Sequence, residues 1–271
     1  MNTSYNPSKS SLAFEAEIQR LRAQALRGWP KEARNFQRFG LADGMQILEI
    51  GSGPGFITGQ LLELCPQSQL TSLEIDPLMI DTAQQQLSAE QRSRTRFVQA
   101  SIVSTGLPDN QFDFAIARMI FLHLPDPLGA AREIYRLLRP GGKLVVIDID
   151  DGIFGLIDPQ IPGLPAVMHK LAQAQASRGG NRYIGRRLWK ILQSVGFTHL
   201  DLEAVVQHSD ALGIDAFRPH LDIQRISALA KAGMLTQQEY EDLQAASEEF
   251  WASPEAYALM IFLMVCGEKP A

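Results

Sequence analysis

Cysteine is scarce in this chain. Cys65 and Cys266 are the only two, which gives neither a disulfide framework nor a metal-ligand spacing. That scarcity fits a reducing, cytoplasmic setting. Long apolar runs are missing too: the longest, 258–266, falls far short of the roughly 20 residues that cross a bilayer. It reads instead as a central strand buried on both faces, and no membrane partner is expected. The first residues, MNTSYNPSKSS, have no apolar stretch of the kind a secretory signal needs. Basic excess is absent as well. Twenty-five Lys and Arg stand against 30 Asp and Glu, a net charge of −5, so extended nucleic-acid contact is disfavoured.

What the chain does have is apolar content, 45% of its residues, enough for a large core. Elements alternate along the first half. Residues 11–29 read as a helix that stops near Gly28-Trp29-Pro30. Strands follow at 46–50, 69–74, 95–99, 113–117 and 143–148, with helices over 56–64, 77–91 and 126–138 between them. Pro77 suits a first helical turn, and Arg139-Pro140-Gly141-Gly142 stops the third of these helices. This alternation predicts a doubly wound, mostly parallel α/β sheet. After Asp150 the rhythm breaks. Residues 151–182 are rich in Gly and Pro and read as an irregular insertion with one short helix near 165–177. A helix over 184–195, a strand over 198–206 and a mostly helical stretch over 209–252 come next. Thr236-Gln-Gln-Glu239 has the reciprocal capping-box pattern, and the 258–266 strand closes the chain. The whole reads as one domain, 1–271. Its core is about 41–150, 183–207 and 256–268, and its lid segments are about 151–182 and 208–255.

The most informative stretch is Ile47-Leu48-Glu49-Ile50-Gly51-Ser52-Gly53-Pro54-Gly55-Phe56. A buried strand ends in a carboxylate and runs into a turn with glycine at every second position, where a ligand can approach the backbone closely. Phe56 stands where a dinucleotide-binding fingerprint requires its third glycine, and no lysine is near to make a P-loop. Glycines at relative positions 1, 3 and 5 after an acidic residue resemble the first motif of the class I S-adenosylmethionine-dependent methyltransferases. Leu70-Thr-Ser-Leu-Glu74-Ile75-Asp76-Pro77, Phe97-Val-Gln-Ala-Ser101-Ile102, Leu107-Pro108-Asp109-Asn110-Gln111-Phe112-Asp113-Phe114 and Leu137-Leu-Arg-Pro140-Gly141-Gly142-Lys143-Leu144 resemble the family's later segments, in order over residues 45–148.

The resemblance implies a Rossmann-like, seven-stranded, mostly parallel sheet with an antiparallel last strand, a helical lid, and S-adenosyl-L-methionine as cofactor. Its contacts are expected at Glu49, Gly51, Ser52, Gly53, Gly55, Glu74, Ile75, Ser101, Ile102, Ala117 and Arg118. Glu74 suits the ribose hydroxyls, with Asp76 as the competing acid. Ser101 departs from the Asp the family often places along the adenine. Glu49 either holds the glycine loop or reaches the methionine amino group. Glu17, Arg20, Leu21 and Gln24 share one helix face, which either meets the methionine carboxylate or is simply solvated.

For methyl transfer itself, the candidates after strands four and five are Arg118, Met119, His123, Asp148, Asp150 and Asp151. His123 and Asp148 are the catalytic candidates. Displacement at a sulfonium carbon needs alignment and exclusion of water more than a base, so His123 is either base or orienting residue. Arg118 either binds an anionic acceptor or pairs with a nearby Asp. Tyr183, Trp189, His208, Phe217 and His220 are candidate pocket walls. The expected acceptor is a small, partly apolar metabolite. No Asn/Asp-Pro-Pro-Tyr motif of base-amino methylation appears after strand four. A protein or carrier-bound substrate, or a non-catalytic cofactor-binding regulator, are the other readings. A nicotinamide reductase is disfavoured by Phe56, and no metal is expected.

Overall fold

The structure is a computed structural model and describes residues 14–153, 155–221 and 223–271. Among the described residues eight strands form one sheet: β1 (Gln46–Ile50), β2 (Gln69–Glu74), β3 (Thr95–Gln99), β4 (Phe112–Arg118), β5 (Leu138–Asp148), β6 (Gly155–Asp158), β7 (Thr198–His208) and β8 (Tyr257–Glu268). The first helices along the chain are α1 (Phe14–Arg38), α2 (Phe56–Leu64), α3 (Pro77–Gln86), α4 (Ala89–Ser93), α5 (Pro127–Leu137), α6 (Leu164–Ala176) and α7 (Gly185–Val195). Short helices α8 (Ser209–Leu212), α9 (Arg218–Leu221) and α10 (Ser227–Lys231) lead to α11 (Gln237–Ala252).

β3, β2, β1, β4 and β5 lie side by side in that order, all parallel. β8 then runs antiparallel to β5, pairing Leu263–Glu268 with Asp148–Lys143. β7 pairs along the other edge of β8. The order reverses between β1 and β4, and the carboxyl ends of these two strands are where open α/β sheets bind ligands. The doubly wound parallel sheet is therefore as expected from the alternation of elements, and the antiparallel last strand as the resemblance implied.

Three elements differ from the sequence reading. The helix expected over 77–91 ends at Gln86, and α4 starts afresh behind a Ser88–Gln91 capping box. β8 outruns β5, and its free edge at Tyr257–Met260 pairs with β6, which adds an eighth strand inside the segment expected to be irregular. Four residues flanked by Pro159 carry no period of their own, so the partner strand supplies the order. The first helix also continues to Arg38, straight through Pro30. Its expected start, 11–13, lies outside the described residues. Pro30 costs one helical hydrogen bond. Burial of Ile18, Ala25, Ala33 and Phe36 on one side carries the helix past it, and Phe36 meets Phe114 of β4 edge-on with ring centroids 6.3 Å apart.

The main core is built on β1, β4, β5 and β8, with Leu48, Ile116, Val145, Val146 and Phe262 fully buried. A second apolar cluster joins α6 to the helices before β8 through Val167, Ile226, Leu229, Leu243 and Phe250. It forms a cap over the carboxyl ends of the strands. Its last helix begins with the capping box read from sequence: Thr236 Oγ1 accepts from the Glu239 N–H at 3.1 Å, and the Glu239 carboxylate accepts from the Thr236 N–H at 2.8 Å.

Candidate active site

The glycine loop leaves β1 with its three glycines in left-handed conformations, at φ +62°, +54° and +79° for Gly51, Gly53 and Gly55. Their reasons differ. A Cβ on Gly51 would stand 2.2 Å from Ile120 Cδ1, and one on Gly55 would stand 2.8 Å from Ala83 Cβ, so both positions are closed by packing. A Cβ on Gly53 would meet nothing within 4 Å. Gly53 lines a large cavity, and at that point bare backbone faces open space. Ser52 fixes the loop to β2 through a 2.6 Å hydrogen bond between its hydroxyl and that of Ser72.

Glu74 ends β2 and reaches back to the loop. Its carboxylate accepts from the Gly53 N–H at 2.9 Å and from the Ile75 and Asp76 N–H groups at 2.7 and 3.0 Å. Asp76 has a different task, capping α3 by accepting from the Leu78 N–H at 2.9 Å. Ile75, Ser101 and Ile102 line the same wall. Glu49 lies deeper, accepting a 2.5 Å hydrogen bond from Thr58 Oγ1. Burial pushes its carboxyl up to about 8, against the Thr58 bond that opposes the shift. Of the expected contacts, Gly55 and Ala117 stand behind the cavity wall rather than on it.

The opposite wall is α1. Glu17, Arg20, Leu21 and Gln24 all face the cavity, so this helix face is covered rather than simply solvated. Arg20 is held by both oxygens of Glu17 at 2.8 and 2.7 Å and by Gln24 Oε1 at 2.9 Å. Arg118, at the end of β4, pairs with neither an Asp nor open space. Its guanidinium donates to the two carboxylate oxygens of the fully buried Glu32 at 2.8 and 3.0 Å, and to the Gln24 carbonyl at 3.2 Å. This pair ties α1 to β4. Gly28 leaves room for it, since a Cβ there would stand 2.3 Å from Glu32 Oε1. Sequence reasoning missed Glu32. It sits in the stretch read as lying beyond the helix end.

Asp148 and His123, the catalytic candidates, are placed differently. Asp148 is fully buried and does not line the cavity. Its carboxylate accepts from the Leu122 and Ile149 N–H groups at 3.0 and 2.9 Å, which pins the turn that carries His123. Burial pushes it up to about 7. His123 does line the cavity. Burial, then the nearby Arg182, Arg20 and Arg178 cations, pull its pKa down to about 3. Asp150 and Asp151 are bound to Arg186 and Arg182 at 2.5 Å each. Met119, lining the cavity beside Arg118, has φ +57°, a strained conformation for a non-glycine residue. Of the five candidate pocket walls, Tyr183 and His220 line the cavity, while Phe217 is in the core and Trp189 is exposed. His208 does not reach the cavity either. Gln175, Arg178 and Arg182, which were not singled out, do.

The cavity measures about 1670 Å³. That exceeds the roughly 300–1,000 Å³ of a single-ligand pocket and leaves room for two molecules side by side. A glycine loop at the switch point of a doubly wound sheet, an acid at the end of the next strand, and a two-ligand cavity define a group-transfer site of the Rossmann-like class. Residues 48–146 match the family model described as a methyltransferase domain. Over that stretch, residues 48–146, the chain carries a methyltransferase domain, in line with the resemblance read from the sequence.

A malonyl-[acyl-carrier protein] O-methyltransferase from Paenibacillus sp. is 34% identical over 137 residues, covering 50% of this chain and 49% of that protein. A demethylmenaquinone methyltransferase from Listeria monocytogenes is 23% identical over 170 residues, 62% of this chain and 64% of that one. The chain thus spans about half to two thirds of the length of these relatives. In fold it is similar to a Haemonchus contortus phosphoethanolamine N-methyltransferase 2 solved with phosphomonomethylethanolamine and S-adenosylhomocysteine. That likeness has a TM-score of 0.59 at 18% identity, over 90% of this chain and 53% of the other.

S-adenosylmethionine is the methyl donor of this family, and the residues present fit it. The open Gly53 backbone admits a ligand's close approach. Glu74, anchored by three backbone N–H groups, keeps acceptor capacity for a diol. Glu49 offers a carboxylate that a cation would ionise.

Proposed function

We propose that the chain transfers a methyl group from S-adenosyl-L-methionine to a small-molecule acceptor by direct displacement, with catalysis mainly by positioning. The observation that carries this reading is the single cavity that joins the glycine loop and Glu74 to the apolar underside of the cap. When bound, the cofactor supplies a methyl carbon on a sulfonium, which needs no further activation. Glu74 would hold the ribose hydroxyls, Ser101 and Ile102 the adenine edge, and Glu49 the methionine amino group. The α1 face bearing Arg20 and Gln24 would cover the methionine end and exclude water.

His123 enters this scheme as a contact to the acceptor, and Asp148 as its positioning residue, since Asp148 fixes the turn from behind. A pKa near 3 makes the neutral imidazole a weak base at neutral pH. Differential scanning fluorimetry with S-adenosylmethionine, S-adenosylhomocysteine and NAD(P) tests the reading. At a hundredfold excess over Kd, either sulfur ligand should add about 2.7 kcal/mol, a rise of roughly 5–10 °C in Tm. Stabilisation by NAD(P) alone would refute it.

A further inference from the structure

Beneath the cap the cavity wall turns apolar: Ile157 from β6, Met168 and Leu171 from α6, Ile223, Leu229 from α10, and Met260 from β8. Where the end of α6 meets the turn after β4, the wall is polar and cationic instead. Gln175 Nε2 donates to the Leu122 carbonyl at 2.8 Å, which fixes the orientation of its amide. The same nitrogen faces His123 Nδ1 at 3.3 Å. Of the nearby cations, Arg20 is paired with Glu17 and Arg182 with Asp151. Arg178 lines the cavity and makes no salt bridge among the described residues. This end of the site therefore offers a positive charge to an acceptor.

We propose that the methyl acceptor is an oxyanion on an extended apolar body, with the body in the chamber under the cap and the oxyanion received by Arg178. The proposal rests on the methyl-transfer reading above and gives its acceptor a chemical class: a carboxylate or an acidic hydroxyl, already ionised at neutral pH. The step balances without a base. A lone pair of the oxyanion forms the O–CH₃ bond as the C–S bond breaks, and that bond's electron pair stays on sulfur and cancels the sulfonium charge. No proton is released.

The test is calorimetric binding of straight-chain carboxylates from hexanoate to tetradecanoate, of alkanols of equal length, and of 4-alkyl-2-nitrophenols. Each series is measured below its micelle concentration, with and without saturating S-adenosylhomocysteine. Affinity should rise about fourfold per fully buried methylene. Carboxylates or nitrophenols should bind at least about tenfold tighter than alkanols, from the charged hydrogen bonds. Arg178→Gln should narrow that gap and leave S-adenosylhomocysteine affinity unchanged. Leu229→Trp should remove the gain for the longest chains while hexanoate still binds. A flat chain-length series, or alkanols equal to acids, overturns the proposal. With methyl-labelled S-adenosylmethionine, formation of ester or of aryl ether tells which oxyanion is accepted, and tight binding with neither product also overturns it. If S-adenosylhomocysteine fails to bind, the methyl-transfer reading falls on that result, while the series without it still decides the shape and charge of the acceptor site.

Discussion

Gly28→Ala sets two effects of opposite sign against each other. In an unencumbered helix interior, alanine is better than glycine by about 1 kcal/mol. In α1 the new Cβ would stand 2.3 Å from Glu32 Oε1 and 2.8 Å from Gln207 Nε2. The Glu32 carboxylate lies at the end of a flexible side chain, but it has nowhere to go. It is fully buried and held by both bonds from Arg118 at 2.8 and 3.0 Å. Displacing it leaves a buried guanidinium unpaired, which costs about 3–5 kcal/mol. The steric term wins, and the net loss should be about 2–4 kcal/mol. Urea unfolding monitored by fluorescence measures it, with the midpoint falling and the m-value unchanged. The decisive control is the same substitution in a Glu32→Ala, Arg118→Met background. Without the charge pair the penalty should shrink to the adjustment of Gln207, so the double-mutant coupling is about 2 kcal/mol or more. A neutral or stabilising Gly28→Ala in the native background would refute the claim that the Glu32–Arg118 pair is what keeps this position bare.

Other expectations follow from the same geometry. Glu74→Ala should weaken S-adenosylhomocysteine binding at least about tenfold, from the loss of hydrogen bonds to a charged group. Asp76→Ala should instead cost about 1 kcal/mol of stability as a lost helix cap; equal effects on affinity in calorimetry would refute the division of labour between the two acids. Stability should also fall as pH rises from about 6.5 to 8. Over that window Glu49, raised to about 8, and, as far as about pH 7, Asp148, raised to about 7, keep protons in the folded chain that the unfolded chain has lost. Each retained proton lowers stability by up to about 1.4 kcal/mol per pH unit as the solution becomes more basic. His123, depressed to about 3, acts with the opposite sign and only below its unfolded value near 6.5. Glu49→Gln should therefore flatten the slope of urea midpoints between pH 7 and 8, and an unchanged slope would show that another group carries it.

Much of this protein was legible in its residues. The strand–turn–helix rhythm from Gln46 to Asp148 is local, because apolar runs alternate with Gly, Pro and Asp turn signals, and it pointed to five parallel strands, whereas their order and the switch point between β1 and β4 came from the tertiary structure. The 51–55 glycines, Glu74 and the Thr236 capping box were equally local signals. Tertiary structure alone decided the rest. β6 exists because β8 extends beyond β5, a fact about a partner 100 residues away. α1 runs through Pro30 because Phe36 finds Phe114, and because Glu32 finds Arg118 86 positions along the chain. The three glycines look identical in sequence, yet side chains of Ile120 and Ala83 close two of them and leave Gly53 to face the cavity. His123 is a base candidate by residue type, but burial and three arginines pull its pKa down to about 3. Periodicity and turn chemistry act over a few residues and can be read in order, whereas charge pairing, burial and close contact depend on which distant segments the fold brings together.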